Sequence, residues 1–429
     1  MEENNKKKIK VAVFPAGTEI GLEICHALKY EKTVELYGLT SIPDHSQMVY
    51  KNIFQVPFYY EKDFIGQLNG FVHEHQIDFI YPAYDDVLMF LTKHQGKIDA
   101  DIVASPPETI EITRSKRKTY ACFAEEDFVP ETYSQLEEIT YPVFVKPDIG
   151  QGSEGARLVH SAGELQTLAH KEKMIFSEYL PGEELSVDCF TGVDGRLLSC
   201  VPRKRLRIRN GIAVKSELTE TTEEIAHITH TLNRKLHFCG AWFYQLKKDV
   251  SGKYKLLEIA ARIAGTMGLT RNLGLNYPML TLYIKMGVPV SVCKNDFRIT
   301  VDRALISRYE TDLTYKAVYV DLDDTLIING RVHLLLMQYL YQCVNEGVKI
   351  YLLSRHRGDV SAYLKRYKIS EILFDEIFSI GEEPKSKYIM EQSAIFIDDS
   401  YRERKEVQEA CGIPVFGPEN VESLMKWRR

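Results

Sequence analysis

The chain has 429 residues, with 54 lysines and arginines against 60 aspartates and glutamates; a net charge of −6 and a pI near 6.1 argue against a nucleic-acid coat or a membrane-surface protein. At 45% hydrophobic and 27% charged residues it has the composition of a soluble globular protein, long enough for two or three domains. The start MEENNKKKIK is polar, no apolar stretch reaches membrane-span length, and the eight cysteines never approach CxxC spacing, so we expect no signal peptide, reduced thiols and a cytoplasmic location.

Residues 9 to about 112 alternate strand and helix patterns. Ile9–Phe14 reads as a strand, PAGTEIG as the turn into a helix over Gly21–Lys29, and Val34–Leu39 as a second strand, a βαβ beginning. Gly17 and Gly21 lie at the turn and helix start without a full GxGxxG, so close packing of helix on strand accounts for them. A later strand, IDFIYPA, runs into Tyr84-Asp85-Asp86. Acids just beyond a parallel strand either face a ligand or cap the following helix, here VLMFLTKH.

From Ile112 the pattern changes. TRSKRKTYACFAEE reads as one lysine-bearing helix, halted at Pro130. Tyr141–Val159, YPVFVKPDIGQGSEGARLV, is an apolar run, then Lys146, then a loop with glycines at 150, 152 and 155. Such glycines bring backbone N–H groups close to a phosphate beside a lysine charge, or merely turn a hairpin. A helix (AGELQTLAHKEK), the strand MIFSEYL, the turn PGEE and the strand LSVDCFTG follow. In the next strand, LLSCVPRKRLRIRNG, period two puts Arg203, Arg205, Arg207 and Arg209 on one face, as an anion-binding strip or a solvated surface. The hairpin WFYQLKKDVSGKYKLLEIAARIAG, folded about Ser251-Gly252, sets Gln245 opposite Glu258 and Leu246 opposite Leu257. Side chains so paired lie roughly 5 Å apart. An amide oxygen and a carboxylate at that spacing suit a hard cation, unless Glu258 pairs with a nearby lysine or arginine.

Residues 9 to about 290 resemble the ATP-grasp enzymes, in the branch similar to the carbamoyl phosphate synthetase large subunit and carboxylate–amine ligases. SKRKTYACF matches the family's first nucleotide lysine at Lys116. FVKP with GQGSEG matches the second, Lys146, and the phosphate loop with Gly152, Ser153 and Gly155. SEYLPGEELSVD matches the adenine hinge at Glu178, Tyr179 and Leu180 and the ribose glutamate at Glu184. QLKKD and LLEIAAR match the metal pair Gln245 and Glu258, with Arg262 at the arginine for the phosphate or acyl group. The resemblance implies ATP with Mg²⁺ (or Mn²⁺), transfer of the γ-phosphate to a carboxylate, and attack of an amine on the acyl phosphate. The family's E-x-N pattern is broken, since Ala260 stands where asparagine is usual and cannot coordinate a cation.

After a connector from Val290, a new α/β unit begins at Ala317. The strand AVYV ends in Asp321-Leu322-Asp323-Asp324-Thr325, VKIYLLSRH ends at Ser354, EEPKSKYIMEQ supplies Lys385, and AIFIDDS ends at Asp398-Asp399. In a doubly wound sheet these ends gather at one edge, where clustered carboxylates call for a cation. Asp321 would attack phosphorus and Asp323 act as acid and base; Ser354 and Lys385 would hold the phosphoryl group. Asp321, Asp323 and Asp398 would hold Mg²⁺. This is similar to the haloacid dehalogenase superfamily, with DxDxT through Thr325, the strand-end serine, the lysine (Lys385, with Lys387 the alternative) and the acidic pair. Ile327–Leu353 and Arg355–Pro384 are too short for a large cap.

Together these give an α/β chain: a Rossmann-like pre-ATP-grasp domain (1–112), an α+β ATP-grasp domain (113–300), a linker (301–315) and a capless haloacid-dehalogenase-like Rossmannoid domain (316–429). The expectation is a bifunctional enzyme, an ADP-forming carboxylate–amine ligase and a phosphatase. It would act on a small-molecule carboxylate, an amine and a phosphorylated small molecule, without nucleic-acid or membrane partners, and as a homodimer like related ligases. The alternatives are a small-molecule kinase, or an ATP-sensing module that regulates the phosphatase.

Overall fold

A computed structural model describes residues 8–150, 152 and 154–427. The chain divides into two compact units, one ending at Leu305 and one starting at Ile306. No helix among the described residues is long and apolar enough to cross a membrane.

The first unit opens with β1 (Ile9–Phe14), α1 (Glu19–Leu28), β2 (Val34–Thr40), β3 (Asn52–Gln55), α2 (Phe64–His75), β4 (Phe79–Pro82), α3 (Asp85–Lys93) and β5 (Asp101–Ile102). The strands form a parallel sheet in the order β3-β2-β1-β4-β5. Both faces of β1 are covered, which is why its core reads as an unbroken apolar run. Ala12 and Phe14 join a cluster with residues of α2 and α3, while Val11 and Val13 join one with residues of α1.

Next come α4 (Pro107–Arg114), α5 (Lys116–Cys122), β6 (Val143–Pro147), β7 (Arg157–Val159), α6 (Ala162–Gln166) and β8 (Met174–Glu178). The stretch read as one helix is therefore two, ending well before Pro130. Ser115 takes an extended backbone and its hydroxyl accepts from the Lys118 N–H, which starts a fresh helix. Strands β7-β6-β8 make a small antiparallel sheet whose core (Val143, Val145, Val159, Leu165, Phe176) is its own. The glycine-rich loop joins β6 to β7.

The remainder is β9 (Glu184–Thr191), β10 (Leu197–Arg209), β11 (Ile212–Leu218), α7 (Glu223–Lys235), β12 (Gly240–Lys248), β13 (Tyr254–Ala260), α8 (Gly268–Asn272), α9 (Tyr277–Lys285) and β14 (Thr300–Asp302). They build a six-stranded sheet in the order β13-β12-β9-β10-β11-β14. Both large clusters run across the boundary read at residues 112 and 113, joining the parallel sheet to β9 and β12. Val301 and Asp302, assigned to the linker, belong to β14.

Two regular strand readings fail locally. Register shifts at Arg205/Arg207 and Arg207/Ile208 break period two in β10. Arg203 is buried, whereas Arg207 turns out to Asp302 and Arg209 is exposed, so the four arginines do not share a face. In the β12–β13 hairpin Gln245 does pair with Glu258, but Leu246 pairs with Leu256, and the shift leaves Leu257 as the extra residue.

The second unit comprises β15 (Ala317–Val320), a β16–β17 ribbon (Ile327–Ile328, Arg331–Val332), α10 (Leu334–Glu346), β18 (Lys349–Ser354), α11 (Val360–Arg366), β19 (Glu376–Ser379), β20 (Ala394–Ile397), α12 (Tyr401–Cys411) and β21 (Val415–Phe416). Its parallel sheet runs β19-β18-β15-β20-β21. Val318 and Val320 face Leu340 of α10 and Leu364 of α11; Ala317 and Tyr319 face Val407 of α12. The result is three layers.

In the first unit Trp242 has no exposed surface, stacks on Phe238 with ring centroids 3.9 Å apart, and donates its Nε1–H to Thr191 Oγ1 at 2.8 Å. Trp242→Ala should cost about 3–5 kcal/mol, read as a lowered urea midpoint by circular dichroism. An unmoved midpoint would place this ring outside the cooperative core.

Candidate active sites

The first candidate site grows from four separate segments. Lys116 is the first residue of α5, and its Nζ reaches the Asp148 carbonyl at 3.5 Å and Glu258 Oε2 at 3.9 Å. Asp148, not singled out from sequence, ties this helix to the loop strand. Its carboxylate accepts from the Ser115 hydroxyl at 2.9 Å and the Arg117 N–H at 2.8 Å.

Lys146, at the end of β6, is buried without a carboxylate partner. Its Nζ donates to Tyr120 Oη at 2.7 Å and to the Leu257 carbonyl at 3.2 Å. Burial, reinforced by the Lys116 charge, brings its pKa down to about 7. The carbonyl it uses belongs to the extra residue of the bulge, freed from regular pairing.

The hinge is held at Glu178, whose carboxylate accepts from the Glu131 N–H at 2.9 Å. Glu184, first residue of β9, meets Arg205 Nε at 3.0 Å and Lys247 Nζ at 3.9 Å. Lys116, Lys146, Gly152, Glu178, Tyr179, Leu180, Glu184, Gln245 and Glu258 all line one cavity of about 150 Å³. Gly155 is not among its walls; a Cβ there would come within 3.1 Å of Pro147 Cγ. Ser153 lies outside the described residues. Gly152 has φ +62°, a conformation that favours glycine, and meets Gly211 of the β10–β11 turn so closely that a Cβ on Gly211 would collide with it.

Arg262 does not point free. It grips Asp85 through Nε at 2.7 Å and Nη2 at 2.6 Å, with its guanidinium over the Phe243 ring. Burial alone would raise the Asp85 pKa, but the Arg262 pairing outweighs it and holds the carboxyl below its ordinary range. Asp86 takes Arg114, whose Nη1 also donates to the Gly150 carbonyl at 3.2 Å. Neither acid makes a side-chain cap on α3; both anchor arginines instead. Gln245 and Glu258 face each other in register with an amide oxygen and a carboxylate, donors of the type a hard cation takes.

The second candidate site sits at the carboxyl edge of the second sheet. Lys385 is buried, and its Nζ lies 2.5 Å from both Asp321 Oδ1 and Asp398 Oδ2. Lys387 is exposed and pairs with Glu383 at 3.4 Å. Burial, with the Asp398 charge adding to it, raises the Asp321 pKa despite Lys385. Ser354 closes β18 and its Oγ accepts from the His356 N–H at 3.0 Å.

Carboxylate oxygens of Asp321, Asp398 and Asp399 lie within 4.8 Å of one another, an all-oxygen set that fits Mg²⁺. Asp323 is not in that set. Its side chain turns to His356, whose Nδ1 is 2.9 Å away. Asp399, read only as half of a pair, is positioned by Thr325: its N–H donates to Thr325 Oγ1 at 2.9 Å. His356 was missed because nothing in its spacing distinguishes it.

Comparison with known proteins bears on the first unit. Residues 170–304 match the family described as ATP-grasp in the biosynthetic pathway with Ter operon. D-alanine–D-alanine ligase of Clostridium perfringens (strain SM101 / Type A) is 28% identical over 131 residues, 29% of this chain and 42% of that protein. The chain thus spans less than half the length of this curated relative. Among solved structures, the ADP complex of N5-carboxyaminoimidazole ribonucleotide synthetase superposes with a TM-score of 0.56 at 16% identity, covering 68% of this chain and 80% of that one. L-amino acid ligase from Bacillus licheniformis gives 0.52 at 17%, covering 65% and 74%. The first unit of this chain has the ATP-grasp fold.

Proposed function

We propose that the first unit is an ADP-forming carboxylate–amine ligase and the second a phosphatase of the haloacid dehalogenase type. The ligase reading is carried by one observation: two lysines, the hinge, Glu184 and the Gln245–Glu258 pair, far apart in sequence, line a single cavity. The partial likeness to D-alanine–D-alanine ligase supports amide formation as the chemistry.

In this reading Lys116, Lys146 and the loop N–H groups bind and orient the triphosphate. A carboxylate oxygen attacks the γ-phosphorus, the bond to ADP breaks, and an amine displaces phosphate from the acyl phosphate. Gln245 and Glu258 would hold Mg²⁺ in the first unit, and Asp321, Asp398 and Asp399 in the second, where the ion neutralises phosphate charge. For the phosphatase, Asp321 attacks phosphorus to form an aspartyl phosphate, Asp323 protonates the leaving oxygen and then activates water, and Lys385 and Ser354 hold the phosphoryl oxygens.

Ala260 favours a second reading, in which the first unit senses ATP without turnover. ADP release that needs both a carboxylic acid and an amine, with the amide seen by mass spectrometry, supports the ligase. ATP-dependent phosphatase rates without ADP formation from any such mixture support the sensor.

Asp321→Asn should abolish ATP-independent hydrolysis of phosphate monoesters and leave ATP-dependent chemistry intact. Lys146→Ala should lower ADP formation about 10²–10³-fold and spare the phosphatase. Equal loss of both activities in either variant counts against separate sites.

Lys146 also sets a pH dependence. Its folded pKa of about 7 lies below its ordinary value, so the unfolded chain holds the extra proton. Its contribution to stability is therefore least favourable below pH 7 and improves as pH rises toward about 10. A triphosphate beside Nζ restores the charge, so ATP binding at pH 8 should take up a proton and weaken by up to roughly tenfold per pH unit above 7. Calorimetry in buffers of different ionisation enthalpy measures this; a binding enthalpy independent of buffer at pH 8 would sink it.

A further inference from the structure

Beside the nucleotide cavity lies a second one of about 310 Å³. The two share Lys116, Gly150, Gly152, Arg205, Gln245 and Glu258 as a common wall, so a group there would stand next to the terminal phosphate. Its walls include the apolar side chains of Ile20, Leu88 and Ile110. Thr18 follows β1 and Tyr84 follows β4, the neighbours at which the parallel sheet reverses its strand order, where open α/β sheets take ligands.

Arg203 borders this cavity, with its side chain 1% exposed. Its Nε and Nη2 each lie 3.0 Å from an oxygen of the buried Asp188, which Thr270 Oγ1 also binds at 2.7 Å. That pairing fixes the guanidinium. Nη1 is the nitrogen left over, buried and without a hydrogen-bond partner. Buried donors are seldom left unmade, and a charged one fixed in advance suits an anion. Of the other arginines at this wall, Arg262 is committed to Asp85 and Arg114 to Asp86, while Arg205 ion-pairs with Glu184 at 3.0 Å but leaves its buried Nε without a hydrogen-bond partner, a second donor beside Arg203 Nη1.

Resting on the ligase reading, we propose that this cavity is the acceptor site for a monocarboxylic acid with an apolar body, whose carboxylate is bound by Arg203 Nη1. The apolar Ile20, Leu88 and Ile110 argue for the apolar body and against a second carboxylate, which would lose its hydration beside them.

The test measures binding of acetate, benzoate, phenylacetate and succinate to the full chain with Mg²⁺ and a non-hydrolysable ATP analogue, by saturation-transfer NMR and calorimetry. Benzoate or phenylacetate should bind better than succinate. Arg203→Lys keeps the charge opposite Asp188 and loses Nη1, so it should weaken acid binding at least tenfold while moving nucleotide affinity less than twofold. Should that variant fail to fold, Ile20→Trp, which enlarges an apolar wall residue into the cavity, should weaken benzoate and phenylacetate but spare acetate. No acid binding to the wild-type complex, or acid affinity unchanged in the variants, overturns the site. Acid binding that Arg203→Lys removes, with no ADP from ATP plus any amine, supports the site and refutes the ligase reading. ADP formation with a KM for the acid that Arg203→Lys does not move refutes the site and leaves the ligase reading standing.

Discussion

The register of the β12–β13 hairpin is the constraint on which the first site depends. Setting Gln245 against Glu258 brings an amide oxygen and a carboxylate together, and the shift directly beside that pair leaves Leu257 out of step. Because Leu257 is displaced, its carbonyl is available to Tyr120 at 2.9 Å and Lys146 at 3.2 Å. One extra residue thus couples α5, the glycine-loop strand and the Gln245–Glu258 pair. The same strand carries Ala260 to the wall of the second cavity and delivers Arg262 to Asp85. A one-residue slip of β13 would turn the Glu258 side chain to the face opposite Gln245, since side chains alternate faces along a strand.

Charge around the first site is arranged so that almost nothing is left to reorganise. Arg114, Arg205 and Arg262 are each held by a carboxylate before any ligand arrives. Lys146 differs, because the atoms it touches are a phenol and a carbonyl, neither charged. Its positive charge is therefore unfavourable until phosphate is beside it, which makes it the group most sensitive to the nucleotide's presence.

Much of this was legible in the chain. The order of apolar runs and turns marked the parallel sheets, and counting back from Ser251-Gly252 found the Gln245–Glu258 pair. What failed were the places where a strand or helix departs from ideal periodicity. Ser115 interrupts a helix with a cap, Leu257 bulges, and β10 shifts register twice, so Arg207 and Arg209 leave the face of Arg203. Bulges carry no compositional signal strong enough to be read from spacing. Long-range ion pairs are equally silent: Asp85 looked like a helix cap or a ligand contact, and its partner lies 177 residues away.

In the second unit the same physics separates two acids of one motif. Asp321 and Asp398 converge on Lys385, and burial forces such carboxylates to share a cation. Asp323, two residues on, escapes that cluster because Leu322, fully buried between them, faces the core while the chain turns through Asp324 at φ +58°. Its side chain stays 45% exposed beside His356. A group that must first give and then take a proton needs access to water, whereas a nucleophile needs a fixed position and a neutralising partner. The proposed roles suit these environments: Asp321 is enclosed and paired, Asp323 is open to water beside His356, and Thr325 reaches across to orient Asp399 rather than either of them.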